Sequence, residues 1–538
     1  MTVEDQADEL DGGLRRDTVI VTLCTLVSRI TGFGRVLATA AVLGSGVLGD
    51  VYQSANLIPN LLFELVAGGV LQAVLVPAFV AARRRDGDQG LGEATGATAG
   101  VLLIGLAGVT VVGITLAPLI GRLLVASEPS PLVAADKLDV LVPMALVFIP
   151  QLVCYGIAMV ATAALAAKRR FVAAALAPAV NNIIVIIACV AFRAARGGQV
   201  ASLDLTPWQF GLIAGGTTLG VLAYCAVPAI ALSRRGVRWR PRWSPGNRAV
   251  RSLRSTFGWA TLSVVGTLVP TAVALALGNG APGGVAVFVY AFAFFVLPHS
   301  LTAVPIATTL GPRVALHWQV GDVQAVRVDL GTSMRLMVPL LFLAAAGMVA
   351  LAWPVARVAA FGQTASQGLA PIAHTLVAFG PGLFGYGVAF VMMRVLFALN
   401  DVKAASLLTI AGAVLGGLWM VAAADAMAAN ERATALAIGY GASQTVAAVL
   451  LTIRVRRLTG ALGPRLSAVT LGESLLAATA ACAAMLVLQA QFEPSRRAGL
   501  FAILAAGAAG VAVFAGVIAA LRGGRLVDRR GGEGLGAS

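Results

Sequence analysis

The 538-residue sequence contains few charged residues, because Asp, Glu, Lys and Arg together make up only 12% of it. A soluble globular domain carries about 25% charged residues and about 45–50% apolar residues. Here the hydrophobic share is 59%. The scarcity of charge therefore excludes an ordinary soluble protein and indicates an integral membrane protein.

Motifs for several enzyme and metal-protein classes are also absent from the sequence. The 5 cysteines share no spacing pattern, so we expect small core residues rather than a disulfide framework or a metal site. No G-x-x-x-x-G-K-[ST] segment occurs, which argues against direct use of ATP. The polar joints are too short and too basic for the catalytic loop of a membrane glycosyltransferase. No cofactor is expected.

The apolar residues form about fourteen runs separated by short polar joints. A run of about 20 apolar residues spans the hydrocarbon core as a helix, and helices satisfy every backbone group in lipid. The sequence therefore predicts an all-α polytopic membrane protein with about fourteen transmembrane helices. Their approximate extents are 18–43, 49–82, 94–125, 138–167, 172–195, 208–233, 256–279, 283–315, 333–360, 369–399, 403–428, 433–453, 469–490 and 498–521.

The basic residues are distributed unevenly along the chain. Lys and Arg number 39 against 24 Asp and Glu, which gives a net charge of +15. Most of the basic residues lie at the termini and in every second joint, including Arg83–Arg85, Lys168–Arg170 and 234–255. This positive-inside pattern predicts a multi-pass protein of the bacterial plasma membrane with both termini in the cytoplasm. The charge indicates topology and, in part, contact with anionic lipid heads, and no nucleic acid is expected as a partner.

The sequence resembles itself at an offset of about 231–235 residues. Leu116–Arg122 recurs as Leu351–Arg357, and Tyr155–Ala158 recurs as Tyr386–Ala389. The offset contains six helices, and an even number places both halves in the same orientation, related by a pseudo-twofold axis along the membrane normal. Two such lobes are typical of a transporter that works by alternating access.

This repeat predicts the domain boundaries. They are a cytoplasmic N-terminal tail (1–17), an N-lobe of helices 1–6 (18–233), a basic cytoplasmic linker (234–255), a C-lobe of helices 7–12 (256–453), a basic cytoplasmic loop (454–468), two further helices (469–521) and a disordered cytoplasmic tail (522–538).

Two arginines, Arg29 and Arg35, lie inside the first apolar run. Each costs about 2.5–3.5 kcal/mol at membrane depth, so we expect both to face a protein interior or a wet cavity. Guanidinium groups suit the oxygens of a diphosphate. The alternatives are a structural ion pair with Asp50 or Glu64 and snorkelling of the side chains to the membrane interface. A spacing of six does not place both arginines on one helix face, so a helix bend at the neighbouring glycines is expected.

Four further residues are candidates for the site. Asp50, near the start of helix 2, suits either a helix cap or a gate contact. Glu64 suits either a structural ion pair or coupling to a proton or cation. Arg394 suits the role of a helix-end residue or of a gate residue. Asn60 is a candidate for substrate binding, with an interhelical hydrogen bond as the alternative. His299 and Asn182 are expected to be hydrogen-bonded core residues.

The predicted helices 1 and 2 carry a distinctive motif, which consists of Ser28, Arg29, Gly32 and Arg35 in helix 1 and Asp50, Pro59–Leu62 and Val76–Pro77 in helix 2. With these residues the region from Ser28 to Pro77 resembles the lipid II flippases of bacterial wall synthesis, the MurJ/MviN family, which belongs to a larger group with multidrug exporters and polysaccharide-lipid flippases. A second segment, Arg394–Lys403, is similar to the family signature at the end of helix 10.

The chain departs from the family pattern at several positions. Phe63 stands where the family usually has a basic residue, and Phe292-Ala293 stands where it has Asp-Arg. Val36 and Gly68 stand where acidic residues are usual. These departures imply a less cationic cavity and a divergent branch of the family, and the Ala, Gly and Arg bias suggests a high-GC Gram-positive source.

The resemblance implies a flippase, not an enzyme, that carries lipid II from the cytoplasmic to the outer leaflet for cell-wall biosynthesis. It implies Arg29, Arg35 and Asn60 as substrate-binding residues, with Asp50, Glu64 and Arg394 at a gate or coupling site. The alternatives are a flippase for another polyprenyl-diphosphate-linked glycan, a cation-coupled drug exporter and a non-transporting scaffold for wall enzymes. Expected partners are lipid II, membrane lipids and wall-synthesis proteins, and a cation gradient, a proton gradient or the membrane potential is expected to drive transport.

Overall fold

The computed structural model describes residues 3–67, 70–359, 361–366, 369–460 and 468–533. Within these ranges, side chains are described except at 3–19, 21, 22, 66, 67, 70–74, 251–261, 263, 366, 425, 468 and 523–533. Helices make up nearly all of this part of the chain, and no strand occurs in it. The predicted all-α fold is confirmed.

The chain divides into two compact units, Met1–Val264 and Val265–Ser538. The first contains α1 (Val3–Leu43), α2 (Val47–Ala67), α3 (Val70–Leu124), α4 (Pro131–Phe148), α5 (Gln151–Ala167), α6 (Val172–Ala195), α7 (Pro207–Phe210) with a π-helical turn (Gly211–Gly215), and α8 (Gly216–Arg234). The boundary between the units falls inside α9 (Arg248–Gly278).

The second unit contains the end of α9 and nine further α-helices. These are α10 (Gly284–Gln319), α11 (Val323–Ala350), α12 (Ala352–Ala359), α13 (Gln363–Ser366), α14 (Ala370–Ala398), α15 (Val402–Ala426), α16 (Arg432–Thr459), α17 (Ala468–Gln489) and α18 (Arg496–Glu533), with a 3-10 turn (Ala429–Glu431) before α16.

Twelve stretches of the described residues are long and apolar enough to cross a membrane. One of them, Leu75–Leu124, contains a break, because Asp86 and Gly87 have non-helical backbone angles inside α3. The two halves of α3 therefore belong to the second and third predicted helices. A shorter apolar segment of α9, Val264–Gly278, belongs to the seventh. The helix count agrees with the prediction of about fourteen.

The terminal helices extend into regions predicted as tails. The structure has α1 beginning at Val3, within the predicted tail 1–17, and α18 continuing to Glu533, within the predicted disordered tail 522–538. Extending an existing helix costs little compared with nucleating a new one. The last five predicted tail residues, 534–538, lie outside the described part of the chain.

Each unit contains a close helix–helix contact, and the two contacts lie at equivalent positions of the sequence repeat. In the first unit, Gly156 of α5 lies so close to Leu106 of α3 that a Cβ atom would overlap the leucine side chain. In the second unit, Gly387 of α14 lies in the same way against Leu341 of α11, where a Cβ atom would be 2.5 Å from Cδ1 of the leucine. Both pairs are separated by the offset of the sequence repeat, so the repeat is also a repeat of packing.

A row of glycines on α3 receives part of the basic linker. Gly92, Gly96 and Gly100 are spaced by four residues and therefore lie on one helix face. Their missing side chains leave room for the backbone carbonyls of Arg238, Arg240 and Arg242, and the Arg242 amide donates a hydrogen bond of 3.0 Å to the Gly96 carbonyl. We call residues 237–242 the linker strap. The arginine side chains on it are exposed.

Polar contacts fix the joints beside the linker strap. Lys168 donates hydrogen bonds to Asp88 at 2.7 Å and to the Arg235 carbonyl at 3.0 Å. Arg83 also contacts Asp88, at 3.2 Å. The hydrogen bond from Lys168, followed by that from Arg83, holds the pKa of the Asp88 carboxyl below its usual value. The strap is thus held along its length by glycine packing, and the chain just before it is held at Arg235 by a charged cluster.

The packing of the linker strap generates a prediction for α3. We expect Gly96→Val to displace the strap, because the added side chain overlaps the Arg240 carbonyl and overpacking of this kind costs about 1–3 kcal/mol. Limited trypsin digestion of the purified protein should then cut faster after Arg238 and Arg242, the strap arginines that are not followed by proline. Gly108→Val, on the same helix, is the matched control because a Cβ there would meet no atom within 4 Å. Equal cleavage of the two variants contradicts the packing role.

Candidate functional site

The glycines of the first motif bring α1 close to α6. The helix continues through Gly32 and Gly34 as one α-helix from Val3 to Leu43. A Cβ at Gly32 would lie 3.3 Å from Nδ2 of Asn182, and a Cβ at Gly34 would lie 3.7 Å from the Ile186 side chain. Small residues at such positions let membrane helices approach each other. The two glycines therefore serve helix packing.

Asn182 links α6 to the same motif through hydrogen bonds. Its Nδ2 atom donates to the Ser28 carbonyl and to the Thr31 hydroxyl, both at 3.4 Å. The predicted interhelical role of Asn182 is confirmed. Ser28, Thr31 and Gly32 contact Asn182 and form the packing side of the motif. The two arginines make no such contact with Asn182 and form its charged side.

Arg35 is half-buried and lies within electrostatic range of side chains from three other helices. These are Tyr52 of α2, Tyr155 of α5 and Cys189 of α6. Arg29 is exposed. Neither arginine forms an ion pair with any side chain that the structure describes, so the alternative of a structural pair with Asp50 or Glu64 is not observed.

The two acidic candidates of α2 differ in their surroundings. Asp50 lies in the first turn of the helix and is fully buried. Glu64 is exposed and has no hydrogen bond or ion pair within the described side chains. Because a carboxylate at membrane depth normally faces a bundle interior or a water-filled space, Glu64 marks a wet surface of the first unit.

Asn60, the third candidate for substrate binding, is half-buried on α2. Its Nδ2 donates a hydrogen bond of 2.9 Å to the Asn56 carbonyl one turn earlier. The described contacts of Asn60 therefore lie within its own helix rather than across to a neighbouring one.

Three aromatic residues form a connected group in the first unit. The ring centroids of Phe63 and Tyr155 are 5.3 Å apart, and those of Tyr155 and Tyr224 are 6.1 Å apart. We call these residues the first triad. All three side chains are half-buried. The phenylalanine that replaces an expected basic residue is therefore part of an aromatic surface.

The second unit has a matching group. The ring centroids of Phe295 and Tyr386 are 5.2 Å apart, and those of Tyr386 and Tyr440 are 6.1 Å apart. We call these residues the second triad. It belongs to a larger buried cluster in which Phe292 lies 5.2 Å from Tyr440. Phe292, one of the two residues in place of the expected Asp-Arg, is thus a packing residue.

The sequence reasoning missed both triads, although a signal was present. Tyr155 and Tyr386 were paired by the repeat, and the same offset relates Phe63 to Phe295. His299 is buried beside the second triad, with its ring centroid 4.2 Å from that of Tyr386. Its Nδ1 atom has no hydrogen-bond partner, so at that atom the structure differs from the expected hydrogen-bonded histidine.

Arg394, the last candidate, lies in the second unit near the end of α14. Its side chain is exposed, and its guanidinium carbon lies 5.2 Å from the Phe390 ring centroid, within the range of a cation–π contact. In the same signature segment, Asp401 accepts a hydrogen bond of 2.6 Å from Arg454. The structure thus places five candidates on two helices of the first unit, with Asn60 between Asp50 and Glu64 on α2, and Arg394 near a helix end of the second unit.

Comparison with known proteins places these features in context. A family model described as lipid II flippase MurJ matches residues 39–506. A probable lipid II flippase MurJ of Rhizobium tropici is 29% identical over 391 residues, which cover 70% of each chain. The lipid II flippase MurJ of Burkholderia cenocepacia is 25% identical over 400 residues, which cover 72% of this chain and 74% of the relative.

Solved structures of the same fold are also similar. A lipid II flippase MurJ in an inward closed conformation aligns with a TM-score of 0.73 and 16% identity, covering 94% of this chain and 100% of the other. An inward-facing MATE-family multidrug transporter aligns with a TM-score of 0.63 and 16% identity, covering 82% of this chain and 98% of the other. At these identities the likeness concerns the fold.

The division of the helix 1 motif into a packing side and a charged side generates a prediction. We expect Asn182→Ala to lower the free energy of unfolding by about 1 kcal/mol, because hydrogen bonds between membrane helices contribute about this much. Arg29→Ala should leave it unchanged, since that side chain is exposed and has no described ion pair. SDS-driven unfolding in mixed micelles measures both. A larger loss for Arg29→Ala than for Asn182→Ala contradicts the division.

Proposed function

The chain belongs to the MurJ family of lipid II flippases, and from this membership we propose that it moves lipid II from the cytoplasmic to the outer leaflet by alternating access. It is a multi-pass membrane transporter, not an enzyme, and it acts in peptidoglycan biosynthesis. We place it in the plasma membrane with both termini in the cytoplasm. The concentration of basic residues in alternate joints supports this orientation.

The observation that carries the proposed mechanism is that Arg35 forms no ion pair with any side chain the structure describes. A guanidinium at membrane depth that has no ion pair with the described side chains keeps its five N–H donors available for a ligand. A diphosphate offers oxygens that match the guanidinium fork. The groups within electrostatic range, Tyr52, Tyr155 and Cys189, are phenols and a thiol rather than carboxylates, so no ordinary anionic side chain among them neutralises the arginine before substrate arrives.

Arg29 and Glu64 complete the proposed site. Arg29 is exposed in the same helix as Arg35, and we assign it the first contact with an approaching diphosphate. Glu64 is exposed without a described cationic partner, which suits a group that takes up a proton or cation and releases it again. Asp50 and Arg394 are proposed gate residues. Proteins of wall synthesis are proposed as partners in the membrane.

A gradient supplies the energy in this proposal. A unit charge that crosses 100 mV gains about 2.3 kcal/mol, and no nucleotide-binding motif is present in the sequence. A cation-coupled drug exporter is the second candidate function, because the MATE-like fold and the exposed Glu64 would suit one. The family membership favours the lipid substrate.

Complementation tests the substrate and the arginines together. In a bacterium depleted of its own lipid II flippase, we expect the wild-type chain to restore growth and Arg35→Ala and Arg29→Ala to fail, because the diphosphate loses its fork contact. Arg35→Lys should rescue only in part, since lysine keeps the charge without the fork. Arg84→Ala, at an exposed joint position, is the control and should rescue fully.

Membrane insertion of every variant is verified by blotting. A wild-type chain that is inserted but does not rescue contradicts lipid II as the substrate. Full rescue by both alanine variants contradicts the role of the two arginines while leaving the substrate in place.

Flipping assays in proteoliposomes test the coupling residue. We expect an imposed proton gradient or membrane potential to accelerate lipid II flipping by the wild-type chain, and Glu64→Gln to retain only the rate measured without a gradient. One coupled charge at 100 mV shifts the equilibrium distribution by up to about 50-fold. Glu93→Gln, an exposed acid at the start of the second half of α3, is the control. A Glu64→Gln protein with full gradient dependence contradicts the assignment.

A further inference from the structure

The first and second triads have the same ring spacings but different environments. In the first triad the two contacts measure 5.3 and 6.1 Å, and in the second they measure 5.2 and 6.1 Å. Phe295 is completely buried and Tyr440 is buried, whereas Phe63, Tyr155 and Tyr224 are all half-buried. In the second triad only Tyr386 is half-buried, so the first triad is the one in which all three rings present surface that a ligand can reach.

The hydroxyl groups of the first triad are a second observation. Tyr155 and Tyr224 form no hydrogen bond through their hydroxyls with any residue the structure describes. Tyr52, by contrast, shares a hydrogen bond of 2.9 Å with Thr217. A tyrosine hydroxyl normally finds a partner when it is buried. The two open hydroxyls beside accessible rings are thus free to serve a polar ligand.

The neighbours of the first triad define its chemistry further. Arg35 lies within electrostatic range of Tyr155, and Glu64 directly follows Phe63 on the exposed side of α2. The surface therefore combines aromatic faces, hydroxyl groups and one guanidinium. Pockets that bind small molecules have this composition, with apolar and aromatic walls and a few placed polar groups.

We propose that the first triad is a carbohydrate subsite, which stacks against a sugar of the lipid-linked substrate while Arg35 holds the diphosphate. A pyranose ring presents a face of C–H bonds, and these are attracted to the negative face of an aromatic ring. The Tyr155 and Tyr224 hydroxyls then bond the sugar hydroxyls at the edge of the ring. The subsite rests on the proposed function and adds the recognition of the glycan to it.

The proposed subsite explains why position 63 carries phenylalanine instead of the family's usual basic residue. A basic residue there would add to the binding of phosphate, whereas Phe63 adds ring surface next to Tyr155. The site thus relies less on charge and more on stacking. Such a surface would also attract an organic cation through cation–π contacts beside Glu64, and this alternative is included in the test below.

Binding measurements on the purified full-length protein test the subsite. Native mass spectrometry is used with three lipid probes: lipid II, undecaprenyl diphosphate, and undecaprenyl diphosphate carrying one N-acetylglucosamine. We expect the wild-type protein to bind both sugar-bearing probes more tightly than the bare diphosphate. Phe63→Leu and Tyr155→Leu should weaken the sugar-bearing probes by about three- to tenfold and leave the bare diphosphate unchanged.

Three variants separate stacking from other effects. Phe63→Tyr should keep the wild-type preference because the ring is retained. Arg35→Ala should weaken all three probes equally, since each carries the diphosphate. Phe171→Leu, an exposed phenylalanine at the joint before α6, is the matched control and should change nothing.

The remaining outcomes overturn one proposal or the other. Equal wild-type binding of undecaprenyl diphosphate with and without the sugar overturns the carbohydrate subsite but leaves the flippase function intact. A wild-type protein that binds none of the three probes overturns the proposed function itself. If tetraphenylphosphonium binds to the wild type and is lost in Phe63→Leu and Tyr155→Leu, while the sugar preference is absent, the surface is an organic-cation site instead.

Discussion

The hydrocarbon interior of a membrane solvates neither a backbone amide nor a charged side chain, and this constraint accounts for most of the structure. Each backbone group has to be paired within its own segment, so the described chain is helical almost throughout. Each charge at membrane depth must have a partner or a wet surface. Arg35 and Glu64 have no described ionic partner, and this is why they stand out from the many apolar residues around them.

The same constraint explains the use of glycine. Between helices in lipid there is no hydrophobic driving force, so close contact and hydrogen bonds hold them together. Gly32 lets Asn182 reach the backbone of α1, and Gly156 and Gly387 let the helix pairs of each unit pack closely. On α3, three glycines receive a segment of linker instead of another helix. The glycines near the arginines thus serve helix contact.

The sequence allowed the helices to be predicted because a span about 20 residues long leaves a hydropathy signal that needs no tertiary information. Even the break at Asp86 and Gly87 falls in a predicted joint. The first triad could not be predicted in this way, because Phe63, Tyr155 and Tyr224 are separated by many residues and meet only when three helices pack. The family pattern indicated that position 63 lacks the usual basic side chain, but it did not indicate a role for the aromatic ring of Phe63. The linker strap was not predicted for a related reason. Its arginines were interpreted as a topology signal, and nothing in the sequence indicated that the backbone beside them packs on α3.

The two triads have a consequence for how this chain has diverged since its halves were duplicated. Two of the ring positions, Phe63 with Tyr155 and Phe295 with Tyr386, recur at the offset of the repeat. The copy in the second unit is packed among Phe288, Phe292 and Phe379. Selection on that copy is selection for volume, which other large apolar residues satisfy. Selection on the half-buried copy is selection for the ring itself. A duplicated fold has in this way separated two uses of one ring contact.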